Sequence, residues 1–322
     1  MNWFPVELHT HTQHSDGDFT VEELVKAARR RGFSAIACTD HNAFSGVREL
    51  KKYTAQQGLA AVPGIEWTTY WGHMLVLGEQ GYTDWRGVSK DEIDAAIAHI
   101  HTNHGIVGVA HPFALGNPVN TGYHWEFHIS DWDAVDFLEV WSRDDAPVKI
   151  QSLRAVQLWE KLLERGCRIT ATTGRDWHRE DTRPYAHTYV GTEDTVLTTE
   201  NILEAVRRGR VCLAAGPLLT MCAQTEEGVR TEIGGEICAS DGLELELAVD
   251  ETTLPNDWDR EQVFAEEIAV INNGAELCRC PLRERQRVCV AAQTGWLRAD
   301  LIGGFHGRKN QRIAMTNPIF VR

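Results

Sequence analysis

No stretch of this sequence approaches the roughly 20 consecutive apolar residues that a membrane-crossing helix needs. Positive charge is scarce too. The chain has 32 Lys and Arg against 46 Asp and Glu, a formal net charge of −14. General nucleic-acid binding and docking on an acidic membrane face both need a basic footprint, so neither is expected. A phosphorylated small molecule stays open as substrate, because bound metal ions reverse the charge locally. The N-terminal segment lacks the basic region and apolar stretch of a signal peptide, so no cleaved leader is expected. The eight cysteines (Cys38, Cys167, Cys212, Cys222, Cys238, Cys278, Cys280, Cys289) include no CxxC pair. Reduced thiols in a cytoplasmic protein are the simplest reading. GxSxG and P-loop motifs are missing as well, which leaves covalent-nucleophile chemistry without support.

What is present is an ordinary globular balance of 43% hydrophobic and 24% charged residues over 322 positions. That suffices for a sizeable core in one large domain or two ordinary ones. The 14 histidines are about twice the usual share. Residues 5–8 read as a strand entering the polar segment His9–Asp18. Thr20 with Glu23 forms a capping box for a helix that Gly32 stops. Strands are expected over 33–38, 59–62, 106–110, 135–140 and 167–173, with helices over 46–57, 89–104, 147–165 and 199–208. This alternation predicts parallel strands covered by helices. After Gly216-Pro217 the pattern changes to short alternating runs separated by Gly234-Gly235, Asp241-Gly242, Asn272-Asn273-Gly274 and Gly303-Gly304. That is the signature of a small all-β, sandwich-like unit.

Polar residues gather where the strands end. His9-x-His11 closes the first, and residues two apart on an extended chain face the same side, so both imidazoles can grip one metal. Asp40-His41, Glu66, His111, Glu139 and Asp176-x-His178 repeat that chemistry at later strand ends. In α/β barrels the C-terminal strand ends carry the active site. Histidine with carboxylate favours zinc, iron or manganese, and a carboxylate bridges two ions.

In this order, His9-x-His11-x-x-x-Ser15-Asp16-Gly17, Thr39-Asp40-His41, Gly64-x-Glu66, His111-Pro112 and Asp176-x-His178 resemble the PHP (polymerase and histidinol phosphatase) superfamily over about residues 5–215. The ending Ala314-Met-Thr-Asn-Pro-Ile-Phe-Val, with Gly216-Pro217 and Trp296-x-Arg298, is similar to the carbaryl-hydrolase-like branch. The resemblance implies a distorted seven-stranded β/α barrel over residues 1–215, followed by the sandwich-like unit over 216–322. It also implies two or three metal ions per chain (Zn, Mn or Fe). His9, His11, Glu66 and Asp176 would hold the first, and Glu66, His73 and His111 the second. Asp16, His41 and His178 would hold a third.

Behind these ligands, His14, Asp40, Glu139 and Arg143 are expected as supporting residues. Glu139 would orient a ligand histidine or pair with Arg143. Arg175 would either bind phosphate through its planar fork or pair with Asp40. His99, His101 and His104 sit on a helix, where residues two apart face different sides, so they are expected to be bystanders. A Trp- and Gly-containing insertion over 116–132, with His124 and His128, is expected as a lid without a metal role. The expected function is metal-dependent hydrolysis of a small phosphorylated molecule by a metal-bridging hydroxide, with Glu66, Arg175 and His178 as catalytic residues. Ester, amide or carbamate hydrolysis on the same metals is the alternative, and a non-catalytic ligand- or partner-binding barrel is another. The sequence leaves the oligomeric state open.

Overall fold

A computed structural model describes all residues except 117–121, 182, 184, 239–241 and 253–257. Part of the expected lid and Asp241 of one expected turn lie outside the described residues. The chain is a mixed α/β protein with five α-helices and nineteen strands among the described residues. Among the described residues no helix is long and apolar enough to cross a membrane.

In chain order the first part runs β1 (Asn2–Glu7), α1 (Val21–Arg30), β2 (Ala35–Cys38), α2 (Val47–Gln57), β3 (Ala60–Thr69) and β4 (Gly72–Leu77). It continues with α3 (Ile93–Thr102), β5 (Ile106–Val109), β6 (Phe137–Ser142), α4 (Ile150–Glu164) and β7 (Thr170–Gly174). Then come β8 (His187–Thr192), α5 (Thr199–Arg207) and β9 (Val211–Ala214). The rest is all strand: β10 (Leu218–Gln224), β11 (Arg230–Glu232), β12 (Glu236–Ile237), β13 (Leu243–Asp250) and β14 (Val263–Asn272). Last are β15 (Ala275–Pro281), β16 (Arg285–Val290), β17 (Gly295–Phe305), β18 (Arg308–Thr316) and β19 (Ile319–Val321).

Local chemistry sets the helix that carries the first loop. Thr20 Oγ1 accepts from the Glu23 amide while the Glu23 carboxylate accepts from the Thr20 amide at 2.8 Å. Such a cap contributes about 1 kcal/mol. The stripe Val21, Leu24, Val25 and Ala28 buries against Phe33, Ile36 and Trp177. That packing holds α1 on the sheet and the His9–Asp18 loop above it.

One large sheet runs β12-β19-β17-β18-β9-β8-β1-β2-β3-β4-β5-β6-β7, with β14 and β15 attached through β17. The parallel pairs expected from the alternation are β1–β2–β3 and β5–β6–β7. The expectation of parallel strands throughout is corrected at two places. β4 turns back on β3 and pairs antiparallel with β5, and β8 pairs antiparallel with both β1 and β9. A tight turn at Tyr70-Trp71 leaves no length for a crossover helix, so β3 and β4 must form a hairpin.

The sheet does not stop near residue 215: Cys212, Leu213 and Ala214 of β9 pair with Thr316, Met315 and Ala314 of β18. A separate four-stranded sheet, β11-β10-β13-β16, packs its alternating apolar face (Leu243, Leu245, Leu247, Val249) into a second core with Leu297, Leu301 and Phe305.

The free edge of β7 is sealed by side chains. Thr188 Oγ1 accepts from the Thr173 amide at 2.9 Å and donates to its carbonyl at 3.0 Å. The Asn317 carboxamide does the same for Ala171, at 2.7 and 2.9 Å, and also donates to the Val211 carbonyl at 3.0 Å. Buried backbone groups without a ladder need such partners.

Candidate metal centre

Strand ends deliver the side chains to one place. His9 and His11 follow β1, His41 follows β2, Glu66 and His73 stand on the β3–β4 hairpin, and His111 follows β5. Asp176 and His178 follow β7. Two of these positions have left-handed backbone, His111 with φ 27° and Asp176 with φ 50°. Non-glycine residues adopt this at a cost, and here it turns the side chains inward off the strand axis. Glycines make room for the packing. A Cβ at Gly174 would lie 2.2 Å from Glu139 Oε2, and one at Gly17 would lie 2.4 Å from the His11 carbonyl oxygen.

Glu66 is fully buried at the centre. Its Oε1 faces His73 Nδ1 at 2.9 Å, His111 Nε2 at 3.2 Å and His9 Nε2 at 3.3 Å. Its Oε2 faces His41 Nδ1 at 2.8 Å and His11 Nε2 at 3.3 Å. Asp176 Oδ1 lies 3.1 Å from His11 Nε2, 3.4 Å from His178 Nδ1 and 3.5 Å from His9 Nε2. Asp16 closes the outer side, with Oδ1 3.2 Å from His178 Nε2 and 3.5 Å from His41 Nε2. Burial disfavours the charge on Glu66, yet His9 and His73 hold its carboxyl well below the usual range. Asp176 is likewise held down against burial by His9, His11 and Arg143. Burial lowers His11 to about 4, so it is a neutral lone-pair donor at neutral pH. Hydrogen bonding to His178 brings Asp16 down to about 2.

Four overlapping sets have donor atoms within 4.8 Å of one another: His9, His11 and Glu66; His9, His111 and Asp176; His41, Glu66 and His73; and His11, Asp16, His41 and His178. All nine residues singled out as ligands in the sequence therefore lie together. A metal suits them chemically. His9 Nε2, both His11 nitrogens, Glu66 Oε2, His73 Nε2 and His111 Nδ1 are buried with no hydrogen-bond partner among the described residues. Buried polar atoms are rarely left so, and imidazole nitrogens beside carboxylates match zinc, manganese or iron.

The supporting residues divide. Glu139 Oε2 accepts from His9 Nδ1 at 2.7 Å, which turns Nε2 toward the cluster. Its expected alternative partner, Arg143, is taken by Asp176 instead: Arg143 Nε donates to Oδ2 at 2.7 Å. Asp40 does not meet Arg175, because it accepts from the Thr12 amide at 2.6 Å, from Ser15 Oγ at 2.8 Å and from Cys38 Sγ at 2.9 Å, shaping the loop. His14 turns to Ser45 (2.8 Å) and Glu49 (3.3 Å), away from the four sets.

Arg175 departs most from expectation. It precedes the turn at Asp176 and is buried between Trp177 and Tyr185, with ring centroids at 4.3 and 3.6 Å from its Cζ. Its guanidinium pairs with Asp181 Oδ1 at 3.7 Å, and burial together with Arg31 lowers it to about 10. Sequence reasoning missed Tyr123, whose ring lies 5.0 Å from that of His73 and 5.7 Å from that of His111, under the Arg143 guanidinium. Its only signal was its place in the insertion. Glu7 was also missed. Its Oε1 accepts from the His9 and Arg175 amides, tying β1 to the end of β7, and burial raises it to about 7.

A model of the PHP domain matches residues 7–105. This chain carries a PHP domain. The matched stretch includes His9, His11, Asp16, His41, Glu66 and His73 of the cluster. The 3',5'-nucleoside bisphosphate phosphatase of Chromobacterium violaceum is 32% identical over 77 residues, 23% of this chain and 27% of that protein. The 5'-3' exoribonuclease of Escherichia coli is 36% identical over 67 residues, 20% of this chain and 23% of that enzyme. The chain thus spans about a quarter of the length of these two relatives. An uncharacterized protein of Methanocaldococcus jannaschii is 29% identical over 149 residues, 43% of this chain and 83% of its own length. Beyond the PHP domain itself, a Bacteroides vulgatus structure described as a two-domain protein containing a predicted PHP-like metal-dependent phosphoesterase shares the fold. It has a TM-score of 0.56 at 14% identity and covers 99% of this chain and 95% of that one.

Proposed function

We propose that this chain is a metal-dependent hydrolase of small phosphoesters, working at a centre of two or three zinc, manganese or iron ions. The observation that carries the reading is the convergence of nine donor residues, with five buried ring nitrogens of His9, His11, His73 and His111 left without a hydrogen-bond partner among the described residues. The PHP domain and the phosphatase relative support the phosphoester class. His9, His11, Glu66 and Asp176 would hold one ion, Glu66 with His73 and His111 a second, and Asp16, His41 and His178 a third. Bound ions supply an acidified water and Lewis-acid contacts to phosphoryl oxygens.

The protein's own groups do the rest. Glu139 fixes the His9 ring, and Arg143 fixes Asp176. The Arg143 side chain is 42% exposed, so its remaining N–H groups face incoming substrate. Where only two ions are bound and His178 holds none, its ring, held above the usual imidazole range by Asp16 and Asp176 against its burial, would give a proton to the leaving oxygen. Arg175 lines the same outer cavity, of about 340 Å³, but from a buried position, so it contributes background charge.

The same reading takes residues 1–215 as a distorted hydrolase barrel and 216–322 as a sandwich-like unit that adds no ligand, which the second core supports. The eight free cysteines favour the cytoplasm. A net charge of −14 favours a small substrate over the RNA that the exoribonuclease relative's name implies for that enzyme. Elemental analysis of protein from metal-replete medium, joined to a panel of phosphoesters and carboxyl esters, tests the reading. At least two ions per chain and chelator-sensitive phosphoester turnover are expected. Full activity in metal-free protein, or turnover of carboxyl esters alone, would overturn it.

A further inference from the structure

A second cavity shares Arg143 with the outer one. It encloses about 180 Å³ between the end of β5, β6 and the first turns of α4. His111 and Glu139 form its inner end, so it begins at the metal centre. Phe113, Val140 and Ala155 give it apolar walls, and Ser142 and Gln151 add polar ones. A cavity of roughly 150 Å³ accepts one benzene ring, so this volume fits a single six-membered ring.

Two residues of its lining, Glu139 and Ser142, each carry a buried polar atom with no partner among the described residues. Glu139 uses Oε2 on His9, while its Oε1 is buried and unpaired among the described residues, as is Ser142 Oγ. A carboxylate oxygen only accepts, so the complementary ligand presents an O–H or N–H there. Residues 111–115 and α4 contribute to its walls, and Arg143 lines both this cavity and the arginine-lined one. A phosphoester seated on the metals with its phosphoryl group toward Arg143 would point its alcohol into this space.

We infer that the cavity is the leaving-group pocket and that it selects phosphoesters of a single six-membered ring bearing a hydroxyl or amino donor. The inference rests on the phosphoester reading above. Non-hydrolysable phosphonates test it by binding alone. Methylphosphonate, phenylphosphonate and the 2-, 3- and 4-hydroxyphenylphosphonates are titrated calorimetrically into metal-loaded protein. Phenylphosphonate should bind about tenfold tighter than methylphosphonate, and one hydroxy isomer at least about tenfold tighter again, the scale of one hydrogen bond to a charged group.

Ala155→Leu, which fills the wall, should remove the ring preference, and Ser142→Ala should shrink the hydroxyl preference. The second variant keeps the test intact if the first fails to fold. Affinities within threefold across the series overturn the pocket while leaving the phosphoester reading standing. No phosphonate binding, with no phosphoester turnover, overturns both.

Discussion

Two buried clusters of charge lie in this molecule, and they are completed differently. Around Asp300 on β17, Arg298 Nε donates to Oδ1 at 2.8 Å and Arg312 Nε to Oδ2 at 2.7 Å. Arg298 also reaches Glu160 of α4 at 2.7 Å, with its guanidinium 5.4 and 5.3 Å from the Trp159 and Trp296 rings. Two cations meet two anions, and one nitrogen, Arg298 Nη1, is left over. Around Glu66, three carboxylates and six imidazoles gather with Arg143, and several ring nitrogens have no partner. A buried charge is tolerated when its neighbours neutralise it. The Asp300 cluster is neutralised from within and braces α4 against β17. The Glu66 cluster calls for positive charge from outside the chain.

The contrast is broken most directly at Glu66. Glu66→Gln should abolish phosphoester turnover and lower the metal content measured by elemental analysis, whereas Asp300→Asn should leave metal content per folded chain at the parent value. Equal metal loss in both variants would erase the distinction. For Asp300→Asn the expected loss is stability, about 3–5 kcal/mol in urea unfolding, because the flanking guanidiniums lose their countercharge.

A pH series sharpens that second arm. Asp300 is buried, but Arg298 and Arg312 hold its carboxyl below the usual range. A carboxyl depressed in the fold stabilises above its unfolded pKa of about 4, and this contribution fades as pH falls through the folded value. The parent should therefore lose stability on acidification more steeply than Asp300→Asn below about pH 4. Parallel acid limbs would deny Asp300 its role.

Next in size is Glu139→Gln, which leaves the cluster's donors in place but weakens the hold on His9. Metal affinity or turnover should fall about 10–100-fold. Smallest is His99→Ala. His99 Nδ1 meets Thr83 Oγ1 at 2.9 Å, and His99 belongs to none of the four donor sets. Turnover should stay within about twofold of the parent, with at most about 1 kcal/mol lost from the hydrogen bond.

Much of the site is legible in the sequence because most of its side chains sit where an apolar run stops, whereas His73, inside the β4 run, and Asp16, in a loop, are marked only by the family resemblance. His9-x-His11 after β1 and Asp40-His41 after β2 are marked by local pattern alone. Strand pairing is not marked in this way. The Gly72–Leu77 run reads as apolar in any pairing, so its antiparallel place between β3 and β5 follows only from the short turn. The join of β9 to β18 links residues about a hundred apart, beyond the reach of any periodicity. Side-chain direction at Arg175 was hidden for a local reason. The left-handed turn at Asp176 sends that carboxylate to the cluster and leaves its neighbour on the Trp177–Tyr185 side. Tyr123 gave no pattern, since one aromatic in an irregular segment looks like any other.

The Asn317 stitch on the β7 edge bears on the order in which the molecule comes together. Its carboxamide joins Ala171 across 146 residues of intervening chain. Closing so long a loop costs entropy that local hairpins do not face, and contacts of such separation belong to the slow phases of folding. Until that amide arrives, the Ala171 N–H and C=O stay open to water, only three residues along the strand from Gly174, which backs His9 and Glu139. The seam beside the metal cluster is therefore expected to gain protection from hydrogen exchange late in folding, after the Val6–Ala35 and Ala35–Ala60 pairings.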